Sequence, residues 1–164
     1  MERQRTTALP AEAELARQME YIREIRQEND RYFAETGKHK KFYSLAMGCQ
    51  MNAHDSEKLE GMLDEMGYER TQEETEADFI IYNTCCVREN AELKVYGKLG
   101  WLKHYKKENP DAVVALCGCM MQQKEMVNQI RVSYPFVELI FGTHVLYTLP
   151  AVSYTHLTLP TILR

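Results

Sequence analysis

Long apolar segments are missing from this 164-residue sequence. The longest stretch without a charged residue, residues 139–163, is interrupted by Gly142, Pro150 and Pro160, whereas a membrane-spanning helix needs about 20 mostly apolar residues. The first 30 residues carry a charge every few positions and lack the apolar core of a secretory signal. These absences argue against a membrane-spanning segment in this sequence and predict a location in the cytoplasm.

An excess of basic charge is also missing. The 20 Lys and Arg residues are outnumbered by 24 Asp and Glu residues, which gives a net charge of −4. Domains that hold nucleic acid through a basic face usually have an isoelectric point above about 9, so a dedicated binder of that kind is not expected. The length suits one domain of roughly 100–200 residues and is too short for a multi-domain enzyme built on a large barrel.

Paired cysteine motifs are absent as well, since the sequence contains no CxxC. The five cysteines are Cys49, Cys85, Cys86, Cys117 and Cys119. An odd number of cysteines in three separate places fits a secreted disulfide framework poorly. In a reducing compartment, clustered cysteines more often serve metal binding or catalysis than disulfide formation.

Hydrophobic periodicity divides the chain into three blocks. Residues 1–40 predict a helical N-terminal extension, with an amphipathic helix over about 11–35. Residues 41–150 alternate strand-like and helix-like segments, and residues 151–164 have no usable periodicity. The string YTHLTLPT in this tail resembles translated adapter sequence. We therefore expect a non-native tail, and the alternative is a real but irregular C-terminus.

The central block predicts four strands and three helices. The strands are expected at 41–47, 79–84, 112–117 and 137–141, and the helices at 56–66, 89–108 and 121–132. Strands that alternate with helices of about 10–20 residues predict right-handed βαβ units. The predicted fold class is therefore α/β, with an open, mostly parallel sheet, helices on both faces and a preceding N-terminal amphipathic helix.

Each cysteine site follows a predicted strand, with Cys49 after the first, Cys85 after the second and Cys119 after the third. Because the carboxyl ends of parallel strands share one edge, where open α/β sheets bind ligands, these three thiols can meet in space. Thiolates select zinc, copper(I) or an iron–sulfur cluster. Clusters usually take four cysteines, so three would leave one iron without a protein ligand. Buried structural cysteines and thiol redox chemistry are the alternatives, and Cys86 and Cys117 are expected to be structural.

Other interpretations of the residues stay open. A closed zinc site usually has four ligands, and His54 or His144 could supply the fourth. Residues 94–107 hold five lysines and no acid, which indicates either a contact with RNA phosphate or a solvated helix face. A flavodoxin-like domain without metal is a further alternative, although its first loop is not rich in the Gly, Ser and Thr residues that cradle phosphate.

Three short motifs follow one another along the chain. They are Gly48-Cys49-Gln50-Met51-Asn52 with Asp55-Ser56-Glu57, Asn83-Thr84-Cys85-Cys86-Val87-Arg88-Glu89-Asn90-Ala91, and Cys117-Gly118-Cys119-Met120. Over about residues 41–150 the sequence resembles the N-terminal domain of the radical SAM methylthiotransferases. The Gln50-Met51-Asn52 string is similar to the branch that modifies isopentenylated adenosine in tRNA. The ribosomal protein S12 branch typically has Pro-Lys-Asn at that place.

The resemblance implies a cofactor and a substrate. Cys49, Cys85 and Cys119 would ligate an auxiliary [4Fe-4S] cluster, whose unligated iron would bind the sulfur species that becomes the methylthio group. The substrate would be the N6-isopentenyladenosine beside the anticodon of certain tRNAs. S-adenosylmethionine would act as methyl donor and as the source of the radical that activates the adenine C2–H bond.

The sequence departs widely from the family, because the CxxxCxxC motif of a radical SAM core is absent. Sequence for a barrel and for a C-terminal RNA-binding domain is absent as well. The second [4Fe-4S] cluster and the S-adenosylmethionine site would therefore belong to the full-length enzyme. We expect the chain to be a truncated gene product that does not methylthiolate RNA by itself. A non-catalytic zinc–thiolate module that binds RNA or a protein is the alternative function.

Overall fold

The computed structural model describes residues 11–47, 50–85 and 90–158. Within these ranges the elements are α1 (Glu12–Thr36), β1 (Lys41–Ala46), α2 (Gln50–Glu65), β2 (Glu69–Arg70), β3 (Phe79–Thr84), α3 (Ala91–Glu108), β4 (Val113–Gly118), α4 (Lys124–Ser133), β5 (Leu139–Phe141) and α5 (Leu149–Thr158). No helix in the described ranges combines the length and the apolar character that crossing a membrane requires.

The five strands form one sheet in the order β2-β1-β3-β4-β5, and every neighbouring pair is parallel. The predicted α/β class with a parallel sheet is therefore confirmed. This order also occurs in flavodoxin-like sheets. The chain adds β2 on one side of β1 and then adds β3, β4 and β5 on the other side, so the order reverses between β1 and β3. Ligands of open α/β sheets bind outside the carboxyl ends of the strands at such a reversal, so the fold itself marks this edge as a candidate site.

Helices cover both faces of the sheet. The side chains of β3 alternate between two apolar cores, with Phe79 and Ile81 facing one and Ile80 and Tyr82 facing the other. The first core also contains buried residues of α1, α2 and α5, and the second contains buried residues of α3 and α4. All six residues of β3 and of β4 are buried, as expected of central strands in a doubly covered sheet.

The N-terminal helix packs onto the first core through few residues. Ile25 is 2% exposed, and the buried Asn29 side chain donates a hydrogen bond to the Met66 carbonyl oxygen at 2.9 Å. Leu15 and Met19, which share the predicted apolar stripe, are exposed. The predicted helix exists, but only the middle of its stripe, Ile22 and Ile25, packs into the core, and Phe33 near the C-terminal end is exposed again.

Several element boundaries differ from the sequence predictions. Helix α2 begins at Gln50 instead of residue 56. The two-residue edge strand β2 was not predicted at all. The helix expected at 121–132 is replaced by a 3₁₀ turn at Cys119–Gln122 and α4 from Lys124 to Ser133. Strand β2 has only two residues, both exposed, so it leaves no hydrophobic pattern from which it could be predicted.

The start of the tail is helical. Helix α5 packs against α1, where the Tyr154 ring lies 4.9 Å from the Tyr21 ring and the Ala151 N–H donates to Gln18 Oε1 at 3.1 Å. An irregular C-terminus is therefore wrong for residues 151–158. The division into 1–40, 41–150 and a non-native 151–164 stays a prediction, and residues 159–164 lie outside the described residues.

Candidate functional site

The candidate site lies at the carboxyl edge of β1, β3 and β4, which are consecutive in the sheet. Cys85 directly follows β3, and Cys119 directly follows β4. Thr84 and Gly118, the residues before them, are partners in the parallel register. The structure therefore brings Cys85 and Cys119 to the same edge, as predicted. Cys49, like Cys86, lies outside the described residues.

The two described cysteines differ in accessibility. Cys85 is fully buried, whereas Cys119 is partly exposed at the start of the 3₁₀ turn. The Cys119 thiol lies 3.7 Å from the Thr84 carbonyl oxygen, to which its S–H donates. A thiolate that binds metal has no proton to donate, so ligation would exchange this hydrogen bond for a metal bond.

Gly118 allows the β4 loop to approach β3 closely. Its φ of +106° is in the region that favours glycine. A Cβ atom at this position would lie 2.6 Å from Oδ1 of Asn83. The Thr84 hydroxyl completes the contact by donating to the Cys117 carbonyl oxygen at 2.7 Å. A side chain at position 118 would therefore push Cys119 away from Cys85.

Asn83 of β3 forms hydrogen bonds with the chain before and after the loop that joins β1 to α2. Its carbonyl oxygen accepts the Met47 N–H at 2.8 Å, and its Nδ2 donates to the Ser56 hydroxyl at 3.2 Å. Both Asn83 and Ser56 are buried. Cys49 lies between Met47 and Ser56 in the sequence, so the chain on each side of it is attached to one residue of β3.

Cys117 is placed differently from the other described cysteines. Its side chain faces the first apolar core and is fully buried. Burial, with a smaller contribution from Asp55, raises the pKa of this thiol well above its usual range. A thiol that stays neutral inside a core packs as a small apolar side chain, which agrees with the structural role expected for it.

The described residues include only part of the ligand set that a soft metal centre would need. In the ranges 11–47, 50–85 and 90–158, no group of three or more His, Cys, Asp or Glu residues could hold a metal ion. Two of the three predicted ligands, Cys85 and Cys119, are described and lie at one edge. His54, a candidate fourth ligand, is exposed on α2 with Nδ1 3.9 Å from Glu57. The side chain of His144 lies outside the described residues.

Comparison with known proteins decides the family. Residues 41–142 match the model of the uncharacterized protein family UPF0004. The chain belongs to this family. The matched region is the N-terminal domain of methylthiotransferase-like enzymes, so the resemblance inferred from the three motifs is confirmed.

Three relatives of this UPF0004 domain share one name. The chain is 58% identical over 142 residues to "tRNA-2-methylthio-N(6)-dimethylallyladenosine synthase" of Acetivibrio thermocellus, covering 87% of this chain and 30% of the relative. Proteins of the same name from Clostridioides difficile (53% identical, 92% of this chain, 31% of the relative) and Alkaliphilus oremlandii (60%, 70% and 24%) are also similar. The chain thus spans about 30% of the length of the first of these relatives.

Of the five lysines of α3 in the UPF0004 domain, two form ion pairs and three are exposed. Lys98 pairs with Glu74 at 3.1 Å, and Lys106 pairs with Glu138 and the Ala112 carbonyl oxygen. Lys94, Lys103 and Lys107 are exposed. Internal ion pairs therefore account for two of the five positive charges.

The sequence motifs include Asn83, Ser56 and Thr84, but their role in connecting the cysteine loops was not predicted. One signal was available, because Asn83 and Thr84 end a strand that is otherwise apolar. A buried polar side chain in such a strand must find a hydrogen-bond partner. The partner of Asn83, 27 residues away on α2, cannot be identified from spacing.

Proposed function

We propose that this chain is the part of a tRNA methylthiotransferase that holds an auxiliary [4Fe-4S] cluster through Cys49, Cys85 and Cys119. The observation that carries the proposal is the placement of Cys85 and Cys119 on adjacent parallel strands, at the edge where such sheets bind ligands. The names of the relatives supply the reaction class.

The chemistry of the donors supports a cluster. Thiolates are the ligands of iron–sulfur clusters, and the glycine at position 118 lets the backbone beside Cys119 approach β3 without a side chain in between. A cubane held by three cysteines has one iron available for an external sulfur species, which is the chemistry that the cluster would supply. The chain's own residues would hold the cluster at the sheet edge, with Cys85 on the buried side and Cys119 nearer solvent.

The substrate follows from the names of the relatives. We infer that the complete enzyme adds a methylthio group to the adenine of a dimethylallyl-modified adenosine in tRNA. S-adenosylmethionine and a second [4Fe-4S] cluster would bind outside this chain, because its sequence has no CxxxCxxC. The chain alone is expected to bind the auxiliary cluster and to leave RNA unmodified.

Anaerobic reconstitution of the 164-residue chain with ferrous iron and sulfide tests the proposal. We expect about four irons and four sulfides per chain, with the broad visible absorbance of an iron–sulfur cluster. Cys49→Ala, Cys85→Ala and Cys119→Ala should each reduce the iron content strongly. Cys86→Ala and Cys117→Ala are the matched controls and should retain it.

Three results would contradict the proposal. One is a single zinc per chain with no visible absorbance, which would favour a structural zinc module. Another is full iron retention in the Cys85→Ala or Cys119→Ala variant. The third is formation of methylthiolated nucleoside by this chain with S-adenosylmethionine and a reductant, since that would place the reaction centre within it.

A further inference from the structure

We propose that Asn83 and Thr84 are positioning residues that set the spacing of the three cysteine loops before any cluster binds. The inference rests on the proposed function, because it assigns a purpose to the contacts around the same thiols. It adds two residues that are not themselves ligands. They occupy the last two positions of β3, and Cys85 follows directly.

The first step concerns the loop that carries Cys49. Asn83 holds the chain before this loop through its carbonyl oxygen, which accepts the Met47 N–H at 2.8 Å. It holds the chain after the loop through Nδ2, which donates to Ser56 Oγ at 3.2 Å. Asn83 is 2% exposed and Ser56 is 4% exposed, so water competes little for this side-chain hydrogen bond. One residue of β3 thereby anchors the chain on both sides of Cys49.

The second step concerns the loop that carries Cys119. The Thr84 hydroxyl donates to the Cys117 carbonyl oxygen at 2.7 Å, and the Thr84 carbonyl oxygen accepts from the Cys119 thiol at 3.7 Å. Thr84 is fully buried. Thr84 therefore contacts the chain on both sides of Gly118. Through Thr84, strand β3 sets the position of Cys119.

The third step is that these contacts meet at one point. The Gly118 backbone is packed against both Asn83 and Thr84, since a Cβ there would lie under 3 Å from atoms of each. A shift of Asn83 would thus move Met47, Ser56 and the Cys119 loop together relative to Cys85. Groups that orient metal ligands without touching the metal typically change metal affinity about 10- to 100-fold when removed.

The test compares cluster release from the reconstituted chain in the presence of a strong iron chelator. Ser56→Ala and Thr84→Val each remove one hydroxyl and keep the fold. Asn83→Ala removes the amide that donates to Ser56 and leaves the backbone carbonyl oxygen that accepts from Met47. We expect the release rate to rise about 10- to 100-fold in these variants, and the electron paramagnetic resonance spectrum of the reduced cluster to broaden. Thr84→Ser restores the hydroxyl and should restore both properties.

Asn29→Ala is the matched control. Asn29 is also a buried asparagine that donates to a backbone carbonyl oxygen, but its partner Met66 lies just beyond the C-terminal end of α2, away from the cysteines. It should lower the thermal stability of the cluster-free chain and leave the release rate within twofold of wild type.

Two outcomes would overturn the inference. Ser56→Ala and Thr84→Val could both release iron at the wild-type rate, or Asn29→Ala could accelerate release as much as they do, which would reduce the effect to general stability. If the wild-type chain binds no iron, the proposed function fails, and this inference fails with it. If the wild type binds a full cluster and the variants behave like it, only the inference fails.

Discussion

Gly118 and Thr84 are so close that a Cβ atom on the glycine would lie 2.3 Å from the threonine carbonyl oxygen. That oxygen is backbone and cannot rotate away. The φ of Gly118 is also positive, which L side chains rarely adopt. Both effects act in the same direction, so this position tolerates only glycine.

Gly118→Ala is therefore expected to lower the free energy of unfolding by about 2–6 kcal/mol, the sum of backbone strain and overpacking. Urea denaturation followed by far-UV circular dichroism measures this change. Gly97→Ala is the control, because Gly97 is in α3 and a Cβ there meets no atom within 4 Å. It should raise stability by up to about 1 kcal/mol. Equal effects of the two substitutions would contradict the close approach.

Asn29→Ala should weaken the attachment of α1 to the rest of the domain. The substitution leaves the buried Met66 carbonyl oxygen without the amide that hydrogen-bonds to it, which costs about 1–3 kcal/mol. Gln27→Ala, at an exposed position of the same helix, should change stability by less than about 0.5 kcal/mol. Thermal unfolding of the two variants measures the difference. A wild-type melting temperature for Asn29→Ala would mean that α1 does not pack through this residue.

The stability of the chain should fall above pH 10 through Tyr68. Burial, opposed in part by a hydrogen bond with Asn29, raises the pKa of Tyr68 from 10.0 to about 12. The folded state therefore binds the phenolic proton more tightly than the unfolded state. This contribution is complete below pH 10 and is lost as the pH rises toward 12.

Tyr68→Phe isolates that contribution, since phenylalanine does not titrate. The stability difference between wild type and variant should shift against the wild type by about 1 kcal/mol between pH 9 and pH 11. Urea denaturation at the two pH values gives the number. A difference that does not change with pH would show that Tyr68 ionises equally easily in both states.

Cys117 should react slowly with alkylating reagents in the folded, cluster-free chain. It is fully buried and its raised pKa keeps it protonated, whereas the thiolate is the nucleophile. Cys119 is partly exposed and should be modified first. Brief treatment with iodoacetamide at pH 8, followed by peptide mass spectrometry, compares the two sites. Equal modification in the folded chain, and not only in urea, would contradict the assignment of Cys117 to the core.

The sequence predicted the central architecture well because apolar side chains determine it. The apolar run FIIYNT predicted β3 with the bounds that the structure has. The order of strands and helices was sufficient to place Cys85 and Cys119 at one edge. Three cysteines as ligands of one cluster stay a prediction, since Cys49 lies outside the described residues.

The missed elements depend instead on backbone pairing or on side-chain contacts between distant parts of the chain. Strand β2 consists of Glu69 and Arg70, both exposed, and pairs with β1 through main-chain groups alone. Helix α5 has no clear apolar stripe of its own and is held against α1 by contacts such as that between Tyr21 and Tyr154. Neither kind of contact leaves a periodic pattern in the sequence.

The spacing of the strands also limits the size of a ligand that residues at the carboxyl edge of the sheet can hold. Neighbouring strands lie about 4.8 Å apart, so the ends of β1 and β4, with β3 between them, are about 10 Å apart. Thr143 follows β5, one strand further along the same edge. A thiol at position 143 in place of the one in the β4 loop would widen the span by about half. The choice of strand that carries a ligand residue therefore sets the size of the ligand that the site accepts.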